Sequence, residues 1–496
     1  MILRRSVPVL LLLALAAAGR PAAAAERPPN FVVVLIDDMG YGDVGPFGSK
    51  VNRTPNLDRM AREGMTLTSF YGAPLCTASR SQIMTGCYAK RVSMPNVLSP
   101  VSATGLGFHE RTIAELLRPR GYATACFGKW HLGDQPPYLP THRGFDHYLG
   151  LPYSNDMLPS NRPGSRTPPL PLVRDDRVIE VVTPEGQDQL TRRYTEAAVQ
   201  FLRDNKDHPF FLYLPHTAVH VPIHPGPEFK GKSRNGRYGD WVEQVDWSVG
   251  RVLDTLRELK LEDNTLVFFT SDNGPWLQKG HDAGSAGPLR DGKGTTWEGG
   301  MREPALARWP GKIAAGSRCD AVAASLDLLP TLVKLAGGTV PTERPIDGRD
   351  IWPLLSGAMH ESPHEALYYF LGQNLEAVRS GPWKLRLAGA SDGVFVKKRP
   401  GEPPAPARLY NLDADIGDKT DVAARHPDVV RRLAELADRM DADLGKTGHG
   451  PGVRPAAHVK DPQPLRLGRA QAEALRPRTL AEILRTLEDP RWETGD

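Results

Sequence analysis

The chain is poor in cysteine, with four residues in 496: Cys76, Cys87, Cys126 and Cys319. So few exclude a scaffold stapled by disulfides, and if Cys76 is chemically modified the odd remainder leaves room for one internal bridge at most. Cys126 lies in an apolar segment and reads as a buried thiol. A charge excess is missing too: 62 lysines and arginines face 58 aspartates and glutamates, a net +4. An imbalance so small and so scattered argues against a nucleic-acid partner. The N-terminal apolar run, Val7 to Ala18, falls short of the roughly 20 residues that span a bilayer, so no stable membrane anchor is expected. Flanked by Arg4-Arg5 and by Ala23-Ala24-Ala25, it reads as a secretory signal peptide over residues 1–25. Cleavage is expected before Glu26, with export to the periplasm or the medium. No cysteine lies near that point to carry a lipid.

With 40% hydrophobic and 24% charged residues, the chain has the composition of an ordinary soluble protein and the length for one large core plus a satellite domain. Phe31 to Ile36 is a continuous β-branched and apolar run, the pattern of a strand covered on both faces. Tyr122 to Phe127, Phe210 to Leu214 and Thr265 to Thr270 repeat it. Thr112 to Leu117 reads as a short helix stopped near Pro119 and Gly121. Asp246 to Leu259 carries apolar residues at helical spacing. Strands alternating with helices predict an α/β domain with a mostly parallel sheet over residues 26–364. Beyond it, Ala377-Val378-Arg379, Trp383 to Leu387 and Leu409 to Leu412 are short strand-like pieces, followed by a helix over Pro427 to Leu444. These predict a smaller antiparallel subdomain over 365–448. A Pro- and Arg-rich extension, 449–496, holds one helical stretch near Leu480 to Leu487 and suggests no role.

In open α/β sheets, ligands gather beyond the carboxyl ends of the strands. Asp37-Asp38 and Asp272-Asn273 both stand there, and three carboxylates with one amide oxygen form a hard donor set suited to Ca²⁺ or Mg²⁺ rather than zinc. Singly, each pair reads equally well as a turn or a helix cap. Lys129 and His131 follow the Tyr122 strand, and His220 follows the Phe210 strand. Lys293, between Gly292 and Gly294, sits in a flexible loop able to bring an ammonium to an anion. Each of these basic residues alone also suits a solvated loop.

Cys76-Thr77-Ala78-Ser79-Arg80, followed by Ser81, Thr85 and Gly86, resembles the maturation signature of type I sulfatases. The likeness continues through Asn30 to Gly42, Gly121 to Gly133, Gly150 to Asp156, Phe210 to Pro222, Thr270 to Gly274 and Gly292 to Pro310, and it is strongest to the arylsulfatase A-like branch. The resemblance implies an alkaline-phosphatase-like α/β fold, a large mostly parallel central sheet flanked by helices, with the C-terminal antiparallel subdomain attached. It implies hydrolysis of sulfate monoesters, those of sulfated carbohydrates, after Cys76 has been oxidised to Cα-formylglycine. One hydroxyl of its hydrate attacks sulfur, giving a covalent sulfoenzyme, and loss of the second hydroxyl's proton expels sulfate. By position, Asp37, Asp38, Asp272 and Asn273, with residue 76, are assigned to one calcium ion. Arg80 and Lys129 would hold the hydrate, and His131 would accept its proton. Ser154, Lys129, His220 and Lys293 would bind sulfate, with Lys293 or His220 protonating the departing oxygen.

Two positions depart from the family pattern. Ala78 stands where proline is common, which leaves open whether an oxygen-dependent formylglycine-generating enzyme or a radical sulfatase-maturing enzyme acts, the Ala form looking more like a radical-maturase substrate. Cys87 stands where arginine is common, so one contact beside the helix after Cys76 is expected to be missing. Two other readings stay open from the sequence. One is a phosphonate or phosphodiester hydrolase of the same superfamily, the other a catalytically silent binder of sulfated ligands in which Cys76 is never oxidised. Specificity is expected in Pro159 to Gln189 and in the C-terminal subdomain.

Overall fold

The computed structural model describes residues 27–159, 167–396, 401 and 403–467. The signal-peptide segment and the Leu480 to Leu487 stretch lie outside them.

An 11-stranded sheet organises the larger part. From one edge its strands are Ser317–Cys319, Met65–Tyr71, Arg302–Arg308, Thr265–Ser271, Asn30–Ile36, Phe210–Pro215, Ala123–Phe127, His147–Gly150, Pro171–Arg174 and Arg177–Val181, with Ala323–Ala324 also on Met65–Tyr71. From Thr265–Ser271 to His147–Gly150 all pairings are parallel, while Arg302–Arg308 and the outer hairpin run antiparallel to their neighbours. The central strand shows why an unbroken apolar run was required. Its side chains alternate between faces: Phe31, Val33 and Leu35 join one buried cluster, Val32, Val34 and Ile36 the other. The helix predicted over 246–259 is the second half of a longer one, Gly236–Glu258.

A separate four-stranded antiparallel sheet follows, Leu367–Leu371, Asn374–Ser380, Trp383–Arg386 and Arg408–Asn411. The helix Pro427–Leu444 covers it, seating Leu433, Leu436 and Leu444 with Leu375, Val378 and Leu385. A buried polar cluster joins this sheet to the large domain. Glu298 accepts from Tyr71 at 2.6 Å, Lys384 at 2.9 Å and Tyr369 at 3.0 Å, so the interface brings its charges in already paired.

The extension is a strap as far as residue 467. Ala457–His458 pairs with Thr104–Gly105, and the Gln463 amide N–H donates to Gln135 at 2.8 Å. The strap also answers the missing arginine: Arg454 brings its guanidinium to within 3.2 Å of Cys87 Sγ while bonding Glu110 at 2.7 Å. All four cysteines are free and buried.

Candidate active site

The parallel strands end on one edge, and the residues just past their carboxyl ends converge there. Asp37 and Asp38 follow Asn30–Ile36, and Asp272 and Asn273 follow the neighbouring Thr265–Ser271. The two turns are bonded to each other, the Asp38 N–H donating to Asp272 Oδ1 at 3.2 Å and Asn273 Nδ2 to Asp38 Oδ1 at 2.7 Å. Gly274 is required beside them, because a Cβ there would lie 1.8 Å from the Gly299 carbonyl oxygen.

Three cations face the three carboxylates. Lys129 Nζ donates to Asp37 Oδ2 at 2.5 Å, and Lys293 Nζ to Asp38 Oδ1 at 2.6 Å. Arg80 uses Nε and Nη2 on Asp272 Oδ2 at 3.0 and 2.9 Å, and its Nη1 on the Lys129 carbonyl at 2.5 Å. Lys293 is only 4% exposed, so its glycine-flanked loop is folded into the protein. Burial pushes the Asp37 carboxyl up, but Lys129, His220, Arg80 and Lys293 outweigh it and hold the group well below the usual carboxylate range. Asp272 moves the other way, raised by burial and by Asp37.

Even so, Asp37 Oδ1, Asp38 Oδ2 and Asn273 Oδ1 are buried with no hydrogen-bond partner among the described residues. Buried acceptors left unpaired are costly. Three of them, all hard oxygens, fit a divalent cation of the calcium or magnesium type. Ligand atoms of Asp37, Cys76 and Asp272 lie within 4.8 Å of one another, as do those of Asp37, Asp38 and His220.

Cys76 opens the buried helix Cys76–Thr85. Burial pushes its thiol up against the pull of Lys129 and Lys293, so the unmodified side chain is no thiolate nucleophile. His131 Nδ1 stands 3.3 Å from Cys76 Sγ, and its Nε2 is 3.0 Å from the Leu98 carbonyl. A tautomer with hydrogen on Nε2 satisfies that carbonyl and turns the Nδ1 lone pair to residue 76. Burial, Lys129 and Arg80 together hold His131 well below the usual imidazole range, so it is neutral and available as a base. Leu98 was not singled out in the sequence. Its role comes from a backbone carbonyl, which no residue pattern announces.

The remaining basic and hydroxyl groups complete the ring. Ser154 Oγ is 3.2 Å from Lys129 Nζ and 3.5 Å from His220 Nδ1. His220 Nδ1 is 2.6 Å from the Val221 carbonyl, its Nε2 3.6 Å from Asp38 Oδ2, and burial with Lys293 lowers its proton affinity. All eleven residues singled out in the sequence therefore lie in one buried cluster. The structure adds Glu303, fully buried, with both oxygens unpartnered among the described residues and pushed up by burial, Asp272 and Asp38.

The family model described as Sulfatase matches residues 29–338, and that of the C-terminal region of aryl-sulfatase matches 362–450. The chain belongs to the sulfatase family. N-acetylgalactosamine-6-sulfatase of Sus scrofa is 41% identical to this sulfatase over 394 residues, 75% of this chain and 74% of the relative. Arylsulfatase A of Homo sapiens is 39% identical over 448 residues, 83% and 87% of the two chains. PsFucS1 sulfatase from Pseudoalteromonas sp. superposes with a TM-score of 0.78 at 27% identity, covering 87% of this chain and 92% of its own. Ps i-CgsB, solved in complex with k-i-k-neocarrahexaose, gives 0.73 at 31% identity, covering 86% and 95%. This sulfatase is a sulfuric ester hydrolase of alkaline-phosphatase-like fold. No helix among its described residues is long and apolar enough to cross a membrane.

Proposed function

We propose that this sulfatase cleaves sulfate monoesters of carbohydrates at residue 76, after a maturase has oxidised the Cys76 thiol to Cα-formylglycine. The observation that carries the reading is the aim of His131 Nδ1 at Cys76 Sγ, 3.3 Å away. After maturation and hydration, Cβ of residue 76 bears two hydroxyls, one in the place of Sγ. One hydroxyl gives its proton to the Asp38–Lys293 pair and forms a bond to sulfur as the ester S–O bond breaks, and the departing oxygen takes a proton from the same pair. The other then gives its proton to His131, the C=O bond re-forms, and the bond from Cβ to the sulfate oxygen breaks. Water restores the hydrate.

The donor set supports one calcium ion held by Asp37, Asp38, Asp272, Asn273 and the matured residue 76. Bound there, the ion would supply positive charge to the pocket that takes the sulfate. Lys129, Ser154, His220 and Lys293 ring the place where sulfate sits, and Arg80 fixes Asp272. With His220 Nδ1 on the Val221 carbonyl, a neutral His220 presents a bare Nε2, which favours Lys293 as donor to the departing oxygen. Three cations balance three carboxylates, so a divalent ion leaves net positive charge in a water-poor site, where it acts most strongly on a sulfuryl transition state. The carbohydrate assignment draws on one relative named for a sulfated sugar, N-acetylgalactosamine-6-sulfatase, and on one solved with a neocarrahexaose, and export rests on the N-terminal sequence.

Co-expression with an oxygen-dependent and with a radical maturase, followed by mass spectrometry of the Cys76 peptide and assays on aryl and sugar sulfates, tests the reading. Activity should track the aldehyde content at residue 76. Full turnover from protein whose Cys76 is entirely unoxidised would refute it.

A further inference from the structure

An aromatic ledge begins where the catalytic cluster ends. Trp276, half-buried, lies with its ring centroid 5.6 Å from that of His220 and 4.8 Å from Lys293 Nζ. Phe395 stacks on it, centroids 5.2 Å apart and planes inclined by 21°, while Lys279 Nζ stands 4.0 Å from the Trp276 centroid. Trp276 is thus already engaged, and the open surface of the ledge is Phe395, 40% exposed, with Leu277, Val394 and Val396, which are 38%, 50% and 52% exposed.

Phe395 comes from the loop after the strand Trp383–Arg386, in the C-terminal sheet, yet it is fixed to the catalytic loop. The Val394 N–H donates to the Gly294 carbonyl at 2.9 Å. Glycine is needed on both sides of this seam. Gly294 has φ 77°, and a Cβ on it would lie 2.6 Å from Val394 Cγ2 and 2.8 Å from Phe395 Cε2. Gly393 has φ 117°, with its would-be Cβ 2.7 Å from Thr295 Cγ2. The residue next to Lys293 therefore carries the loop that presents Phe395. A contiguous exposed apolar patch at the rim of a buried charged site marks a place where a ligand is covered.

We propose that Phe395 is a specificity-determining residue, a platform for the ring of the departing alcohol. The proposal rests on the sulfatase reading above. Sulfate held among Lys129, Ser154, His220 and Lys293 turns its ester oxygen toward Lys293 and His220, the two residues of that ring against which Trp276 lies. The carbon skeleton bonded to that oxygen emerges over the ledge. A pyranose, whose axial C–H bonds make one face apolar, covers Phe395 flat, and so does an arene; an acyclic alcohol or free sulfate does not reach it. In this arrangement the large domain recognises the sulfate and the C-terminal subdomain the ring.

The test compares wild type with Phe395→Ala and Phe395→Tyr, all matured, on a pyranose O-sulfate and on p-nitrophenyl sulfate, with inorganic sulfate as a competitive inhibitor. Phe395→Ala should raise KM by about 3- to 10-fold with kcat little changed and the inhibition constant of inorganic sulfate unmoved. Phe395→Tyr should restore KM. A rise for the sugar ester, the aryl ester or both supports the platform and tells which ring it takes. Unchanged KM for both esters, or an equal weakening of inorganic sulfate, overturns it. Wild type that is matured yet turns over neither ester would instead overturn the sulfatase reading, and the platform with it.

Discussion

His131 and Cys76 form one side of a closed circuit. His131 Nδ1 is 3.3 Å from Cys76 Sγ, His131 Nε2 is 3.0 Å from the Leu98 carbonyl, and the Leu98 N–H donates to Thr77 Oγ1 at 3.3 Å. The residue beside Cys76 thus anchors the backbone that orients the histidine facing Cys76. A base fixed in this way needs no rearrangement at the moment a proton leaves residue 76.

Cys76→Ala should abolish turnover while leaving the fold intact, since the helix it opens is buried whatever chemistry residue 76 carries. Cys76→Ser should separate attack from release. A serine sulfated once and not released, seen by mass spectrometry, is expected. Sustained turnover from the alanine variant would contradict the role of residue 76.

Chelation of the divalent cation, or Asp38→Ala, should lower kcat/KM by roughly 10³-fold, in line with the several kcal/mol such an ion supplies. Thermal stability should fall as well, because Asp37 and Asp272 are left as close like charges. Metal analysis of the purified protein alongside its Tm checks both.

Lys293→Ala should discriminate by leaving group. Sugar sulfates, whose alkoxides leave poorly, should slow by about 10²–10⁴-fold, the usual worth of a positioned acid. Aryl sulfates should lose far less. Equal losses on both would place Lys293 in sulfate binding alone.

Glu303 supplies a pH test. Its folded-state proton affinity lies above the ordinary value of 4.5, through burial first and then Asp272 and Asp38. A carboxyl raised in the folded state contributes stability that is full below the unfolded value and is lost as pH rises through the folded one. Glu303→Gln, which mimics the protonated acid, should remove that loss. Denaturant unfolding between pH 5 and pH 9 should show the variant gaining on wild type by up to about 1.4 kcal/mol per pH unit.

What the sequence disclosed follows from physics. Asn30–Ile36, Phe210–Pro215 and Thr265–Ser271 were legible because interior parallel strands must be apolar on both faces, and the chemistry sits at their ends. Arg302–Arg308 was not. It reads Arg-Glu-Pro-Ala-Leu-Ala-Arg, and Pro304 falls where the register with Met65–Tyr71 shifts between Glu303 and Ala305, so the bulge absorbs a proline that a regular strand interior disfavours. The Lys293 loop looked like a surface loop because its glycines, Gly292 and Gly294, serve close approach to Pro275, Val394 and Phe395, contacts made by distant segments. Leu98 and Phe395 escaped the sequence for the same reason, one acting through its carbonyl and one packed on the Gly294 loop from another sheet.

Intact-protein mass spectrometry of matured His131→Ala during turnover of p-nitrophenyl sulfate tests the account most directly. If His131 takes only the proton that releases sulfate, the first step should survive and release should slow by about 10²–10⁴-fold. Protein carrying one sulfate on residue 76 should then accumulate, with a burst of one p-nitrophenol per active site. Absence of any sulfate adduct, with turnover lost on aryl and sugar sulfates alike, would contradict this and place His131 in the attack or in sulfate binding.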